Sequence, residues 1–356
     1  MTPRRPAGGV EGAAVLLRAG AARRAVTVAK AAFRDLTLAN NGGSAPDIAA
    51  QVECLVVIAR SHQALGDLLA ARAALQHAQQ LEPEVDDPQV VAGLRGALAV
   101  QDRAEGRYPD AYRGLREALA EVTTTGGRDD LIAASLLNDL AVTCKHLARF
   151  DEAEVAYHQA KDILERHLGP HSPEIAAVWH NLAGLAHSRA DYRTAETYSR
   201  GGLAIRIAAL GEDHLDVAAD RAALGPILDA LGRSDEAEQL LHQALAVFER
   251  DLGTEHYEVA VTLHNLGAIH HRRGQHTAAV ETYGRSLRIR AATLGEHHPE
   301  LATTLVNLAV LEQSLGDDRS AAIRLRRAIA LLEPTVPDDH PTLTAAREEL
   351  DLLTSS

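Results

Sequence analysis

A chain of 356 residues with 46% hydrophobic side chains holds ample apolar material for a core, which excludes compositional disorder. The formal net charge of −13, with only Lys30, Lys145 and Lys161 as lysines, excludes a nucleic-acid-binding protein, because that affinity rests on clustered Lys and Arg against phosphates. Three Phe, one Trp and seven Tyr are too few for a base-stacking platform or an aromatic-rich sandwich, and the Ala- and Leu-rich remainder favours closely approaching helices.

At the N-terminus, MTPRR has the charge of a signal start, yet Arg18, Arg23 and Arg24 interrupt the apolar stretch before a useful h-region forms. No window reaches the roughly 18 uncharged apolar residues of a membrane span. Cys54 and Cys144 form neither a disulfide framework nor a CxxC pair. A soluble, cytoplasmic protein with no membrane partner is expected. Residues 1–9 are expected to be disordered, and helix pairs are expected over 10–38, 46–83 and 88–124, joined by a longer loop at 38–46, LANNGGSAP.

Further along the chain the repeat is plain. LGPHSPEIAAVWHNLAGLAHS begins at Leu168, and kindred segments begin at Leu210, Leu252 and Leu294, each 42 residues after the last. One small residue at the turn inside each pair traces the whole series: Gly20, Gly66, Gly106, Ala148, Ala190, Gly232, Gly274 and Gly316. This predicts further pairs over 126–167, 168–209, 210–251, 252–293 and 294–335, about eight in all, and a capping helix over 336–353 that hides the last apolar face.

The grammar inside each unit is physical. Ala183, Gly225, Gly267 and Ala309 leave room for a neighbouring backbone, and Ala195, Ala237, Ala279 and Ala321 let the second helix dock. Leu182, Leu224, Leu266 and Leu308 supply the buried stripe. LG at each boundary places glycine where a left-handed residue stops the second helix. Ser172-Pro173, His298-Pro299 and His340-Pro341 start the next helix with proline in the tolerated first turn. Pro226 falls inside a first helix and predicts a kink.

These small-residue, turn and docking positions resemble the tetratricopeptide repeat, with Trp179 at its favoured early aromatic position. The 42-residue period, the LGxxHP boundary and the NLA core are similar to the kinesin light chain type, which is also common in bacterial proteins. The resemblance is strong over 126–350 and weaker over 10–125. It implies an all-α, right-handed superhelical solenoid whose concave groove is lined by first helices and binds a protein or extended peptide. It also implies that Asn181, Asn265 and Asn307, with Asp139 in place of Asn, face the groove and contact a peptide backbone, whereas Ala97 and Ala223 hold that position elsewhere. Asn138, Asp139, Lys145, His180, His264 and His271 would tune the side-chain preference. The alternative for the asparagines is that they brace adjacent helices.

No catalytic or cofactor motif accompanies the repeat: none of the three lysines follows glycine as a P-loop requires, and HExxH, GxGxxG and GxSxG do not occur. His171, His214, His256, His298 and His340 recur at boundaries, where capping and packing explain them. His180 with His187, and His264 with His271, are each seven residues apart, so roughly 10 Å along a helix, too far to share one metal ion. The remaining readings are ligand donors that gain charge below about pH 6.5, or solvated groove residues. The expectation is a non-enzymatic scaffold or adaptor without cofactor or metal; the second reading is a peptide- or small-molecule-responsive sensor acting on a separate effector.

Overall fold

The computed structural model describes residues 7–18, 20–41, 47–124 and 131–354. Among the described residues there are seventeen α-helices and no strand, and the helices come in consecutive antiparallel pairs. The pairs are α1 (Ala7–Arg18) with α2 (Ala22–Asn41), α3 (Ile48–Ala64) with α4 (Leu68–Leu81), α5 (Pro88–Ala104) with α6 (Tyr108–Thr124) and α7 (Leu131–His146) with α8 (Phe150–Leu168). They continue as α9 (Pro173–Ser188) with α10 (Tyr192–Leu210), α11 (Leu215–Ala230) with α12 (Ser234–Asp251), α13 (Tyr257–Arg272) with α14 (His276–Leu294) and α15 (Leu301–Ser314) with α16 (Asp318–Leu332). A single helix, α17 (Pro341–Thr354), ends the series.

The chain divides into two compact units. Unit 1 comprises residues 1–105 and 110–140, and unit 2 comprises residues 106–109 and 141–356. The core of unit 1 gathers Val52, Leu55, Ile58, Leu75 and Leu94, and that of unit 2 includes Leu224, Leu228, Leu241, Phe248 and Leu266. Tight first-to-second helix packing depends on the small residues: a Cβ on Gly225 would stand 2.7 Å from Leu241 Cγ, and one on Gly267 would stand 2.8 Å from Tyr283 Cδ1.

All eight turn positions traced in the sequence have a positive φ, from Gly20 at 73° to Gly316 at 81°. Two of them are not glycine: Ala148 at 56° and Ala190 at 58° hold a left-handed conformation that costs an L-residue roughly 1–2 kcal/mol. The glycines between pairs differ from expectation in ψ. Gly169 (φ 83°, ψ 163°) and Gly211 (φ 84°, ψ 160°) lie in an extended, positive-φ region open essentially to glycine alone, not in the left-handed helical region.

Four boundary histidines bond the backbone just ahead of a first helix or at its start, and His214 and His256 are the N-caps of α11 and α13, whereas Glu300, not His298, is the N-cap of α15. The Nδ1 atoms of His214, His256, His298 and His340 accept from the backbone N–H two residues on, at 3.1, 3.2, 3.2 and 3.3 Å. His171 departs from the set: it is exposed, and Ser172 Oγ takes the N–H of Ile175 at 3.4 Å instead. Two expectations near the N-terminus also change. Of residues 1–9, residues 1–6 lie outside those described, and α1 already begins at Ala7. Of the expected loop 38–46, residues 38–41 belong to α2, because LANN holds no helix breaker before Gly42, and 42–46 lie outside the described residues.

Candidate functional site in unit 2

Within unit 2 the first helices α9, α11, α13 and α15 lie side by side and present equivalent positions in register. Helical side chains lean toward the N-terminus of their helix, so cross-helix contacts fall just off the repeat length. His180 meets Asp220 and His264 meets Thr304, each pair 40 residues apart. Asn265 meets Ala222 and Asn307 meets His264, each pair 43 residues apart.

His180 Nδ1 lies 2.7 Å from Asp220 Oδ1. Asp220 is only 2% exposed, and Arg206 of α10, itself 7% exposed, donates Nη1 to the same oxygen at 2.7 Å and to the Asp216 carbonyl at 3.2 Å. The buried carboxylate is thus matched by a buried guanidinium, with the imidazole at its outer edge.

His264 Nδ1 lies 3.0 Å from Thr304 Oγ1, and its Nε2 accepts from Asn307 Nδ2 at 3.3 Å, which leaves the ring proton on Nδ1. Burial, helped by the nearby Arg290 guanidinium, pushes this imidazole down to about 3. Burial thus favours the neutral imidazole at His264 and weighs against the reading in which it gains charge below about pH 6.5. The sequence places it on a first helix but does not reveal how deeply Tyr283 and α15 cover it.

Asn307 Nδ2 also reaches the Tyr283 hydroxyl at 3.4 Å, and both residues line an open cavity of about 420 Å³ with His271, Arg272, Ala268 and Val310. Burial pushes the Tyr283 phenol up to about 12, so it stays protonated. Burial, followed by His276 and Arg272, lowers His271 from the usual imidazole range. Arg272 is anchored at 2.6 Å to Asp229, which is 3% exposed and also accepts from Ser234 Oγ at 2.6 Å. The polar lining is accordingly rich in donors: an imidazole, a guanidinium, an amide and a phenol.

Asn265 does something the repeat pattern does not foretell. Helix α11 continues through Pro226, which has no N–H to offer the carbonyl four residues earlier, that of Ala222. Asn265 Nδ2 donates to that carbonyl at 3.3 Å, across from α13. The amide thus replaces the hydrogen bond that the proline removes.

The other singled-out residues are placed as follows. Asn181 is half-buried on α9. Lys145 Nζ lies 3.3 Å from where a Cβ on Gly184 would stand, and after burial its charge is the second cause lowering His187. Asn138 and Asp139 belong to unit 1. There Asp139 Oδ1 is 3.8 Å from Arg103 Nη1, and burial raises its carboxyl against the pull of Arg103 and Arg60. The structure thus brings His264, His271 and Asn307 around Tyr283, whereas His180 and Asn265 engage α11. Asp220, Arg206, Thr304, Tyr283 and Arg272 were not anticipated. The usable signal for the first and third was the residue 40 positions after a groove histidine.

Tetratricopeptide repeat profiles match residues 133–174, 174–250, 222–292 and 258–333, together more than half of the chain. Protein KINESIN LIGHT CHAIN-RELATED 3 of Arabidopsis thaliana is 27% identical over 168 residues, 47% of this chain and 25% of its own length. Protein KINESIN LIGHT CHAIN-RELATED 2 of the same plant is 25% identical over 179 residues, 50% of this chain and 27% of its own length, so this chain spans about a quarter of these relatives. Among solved structures, BtubC (BKLC) from P. vanneervenii is 26% identical with a TM-score of 0.50, covering 65% of this chain and 92% of that one. A Rap protein complexed with Competence and Sporulation Factor superimposes with a TM-score of 0.66 over 98% of this chain and 97% of that one; at 16% identity the likeness is one of fold.

Proposed function

From the premise that the chain belongs to the tetratricopeptide repeat family, of the kinesin light chain type, we propose that it is a non-enzymatic adaptor whose unit 2 holds an extended peptide or protein segment along the first helices. The observation that carries this reading is the open cavity shared by His271, Arg272, Tyr283 and Asn307. An extended chain exposes carbonyl oxygens at regular intervals, and a donor-rich wall beside apolar Ala268 and Val310 suits backbone capture together with small apolar side chains. Asn307 is the centre of the site, His264 orients it, and His271 and Arg272 set the preference for what lies beside the backbone. Asn138, Asp139, Lys145, His180, Asn181 and Asn265 stand further from this cavity in role, with Asn265 committed to Ala222.

A regulatory reading has one observation in its favour. Rap proteins, one complexed with Competence and Sporulation Factor and one with the Phr* peptide, share the fold over most of this chain. In that reading the captured peptide would alter the stacking of repeats and so the contact with an effector. Crosslinked capture on wild-type protein and on a His271→Ala, Asn307→Ala variant of unchanged melting temperature tests the adaptor reading: selective loss in the variant supports it, and equal capture contradicts it. Ligand-dependent compaction in solution scattering would move the assignment to the sensor.

A further inference from the structure

Residues 106–109, which lead into α6, belong to unit 2 and meet it at the boundary between α14 and α15. A Cβ on Gly106 would stand 2.5 Å from Pro299 Cδ and 3.4 Å from His298 Nε2. Both sides of this contact are covered. Of the turn residues traced from Gly20 to Gly316, Gly106 alone is buried, and of the boundaries that begin at Ser172, His214, His256, His298 and His340, His298-Pro299 alone is buried at both residues. Gly106 is therefore held to glycine twice, by a φ of 78° and by want of room. Gly274, with a comparable φ of 70°, has nothing within 4 Å of a Cβ.

His298 is 4% exposed. Its Nδ1 accepts from the Glu300 N–H at 3.2 Å, so the neutral ring carries its proton on Nε2, the atom beside Gly106. A second proton has only Nδ1 to go to, where donor would face donor, and the charged ring could be hydrated only by displacing the turn. The surroundings nonetheless draw that proton in. Burial opposes ionisation of Glu300, but His146, then His298, Arg290 and the Tyr257 hydroxyl hold its carboxyl below the usual range, so a carboxylate stands beside the imidazole. Glu258 of α13 is pushed up by burial, against the pull of His180, and by Glu300. On α7, His146 stacks on Tyr108 of the turn, with centroids 4.7 Å apart and planes at 11°. Ahead of α17, burial lowers His340 against Asp339 and a hydrogen bond to the backbone of His146. The turn's own charge is Arg107.

We propose that residues 106–109 are a clasp on the α14–α15 boundary of unit 2 and that His298 is its catch, shut while the imidazole is neutral and released when the ring takes up a proton. The sense follows from linkage: the open state binds the extra proton, so acid favours it. His214 and His256 accept backbone N–H groups through Nδ1 in the same way, but they are half-buried, so a charged ring there can be hydrated in place. The clasp stands apart from the donor-lined cavity and does not depend on the reading of that site.

Hydrogen exchange of the full chain at pH 7 and pH 5, corrected for the pH dependence of chemical exchange, tests this in segments 105–110 and 296–302, with 262–270 of α13 as reference. Wild type loses protection roughly tenfold in both segments at pH 5 and keeps it in α13. His298→Asn, whose side-chain carbonyl accepts as Nδ1 does and takes up no proton, stays protected at either pH. Gly106→Ala loses protection in 296–302 at both pH values, whereas Gly274→Ala, with comparable strain and no clash, keeps it. The proposal is overturned if wild type is equally protected at both pH values, or if α13 opens with the two segments, which would be general unfolding. It is also overturned if His298→Asn responds to acid as wild type does, or if Gly106→Ala leaves 296–302 as protected as Gly274→Ala does. If either variant fails to fold, wild type decides: loss in 296–302 without loss in 105–110 refutes the clasp.

Discussion

Units 1 and 2 are built from the same helix pair, with the same left-handed turn residue, yet their first-helix faces have little in common. In unit 1 that face is valine, glycine and carboxylate, with Ala97 at the position where asparagine stands in unit 2. In unit 2 it carries imidazoles and amides, of which His180, His264, Asn265 and Asn307 each reach a neighbouring first helix at a separation of 40 or 43 residues. The scaffold positions, which face inward, are fixed by packing. The groove positions are free to vary between repeats, and there the two units diverge.

The largest effect should come from the charge pairs beneath each face. Asp220→Ala leaves Arg206 buried without its carboxylate and is expected to cost about 3–5 kcal/mol. Asp139→Ala in unit 1 removes a carboxylate 3.8 Å from its arginine and should cost less. Urea unfolding of both variants checks the ranking, and equal losses would remove this distinction between the units.

Next comes the link between α11 and α13. Asn265→Ala orphans the carbonyl of Ala222, a residue 4% exposed, and should destabilise by about 1–3 kcal/mol. In a Pro226→Ala background, where residue 226 regains its N–H, the same substitution should cost far less. A double-mutant cycle with additive effects would show that the amide does not stand in for the lost hydrogen bond.

The pH response should separate the two faces more gently. His264 titrates at about 3 when folded, against about 6.5 for an exposed imidazole. The unfolded chain binds the extra proton between those values, so this residue's contribution is intact above about pH 6.5 and is lost as pH falls below it. Wild type should lose more melting temperature between pH 7 and pH 5 than a His264→Gln variant; parallel losses would show that burial of this ring does not matter.

The smallest effect concerns the turns. Ala190→Gly should stabilise by about 1 kcal/mol, because alanine there bears left-handed strain, and Gly232→Ala should destabilise by a similar amount. Thermal melts giving the same sign for both would contradict the turn argument.

The fold is readable in the sequence because its determinants are local and periodic. The series from Gly20 to Gly316 coincides with the positive-φ turn inside each of the eight helix pairs, and Gly225 and Gly267 mark where helices touch. The site is less readable because its contacts cross between helices. The stagger that sets His180 against Asp220 depends on side-chain lean and helix offset, which a 42-residue period does not state. Pro226 and Asn265 read as separate features, a kink and a ligand contact, until the carbonyl of Ala222 joins them. His264 reads as a titrating groove residue because burial by Tyr283 and α15 is a property of three helices together.

Binding at the donor-lined cavity of unit 2 is the central claim, and it is best tested by selecting peptides from a random display library on the full chain. Their affinities are then measured by fluorescence anisotropy against wild type, Asn307→Ala and His271→Ala, each of unchanged melting temperature. The account predicts selected peptides whose binding falls roughly tenfold, about 1.4 kcal/mol, in either variant. Peptides that bind wild type and both variants equally would contradict it.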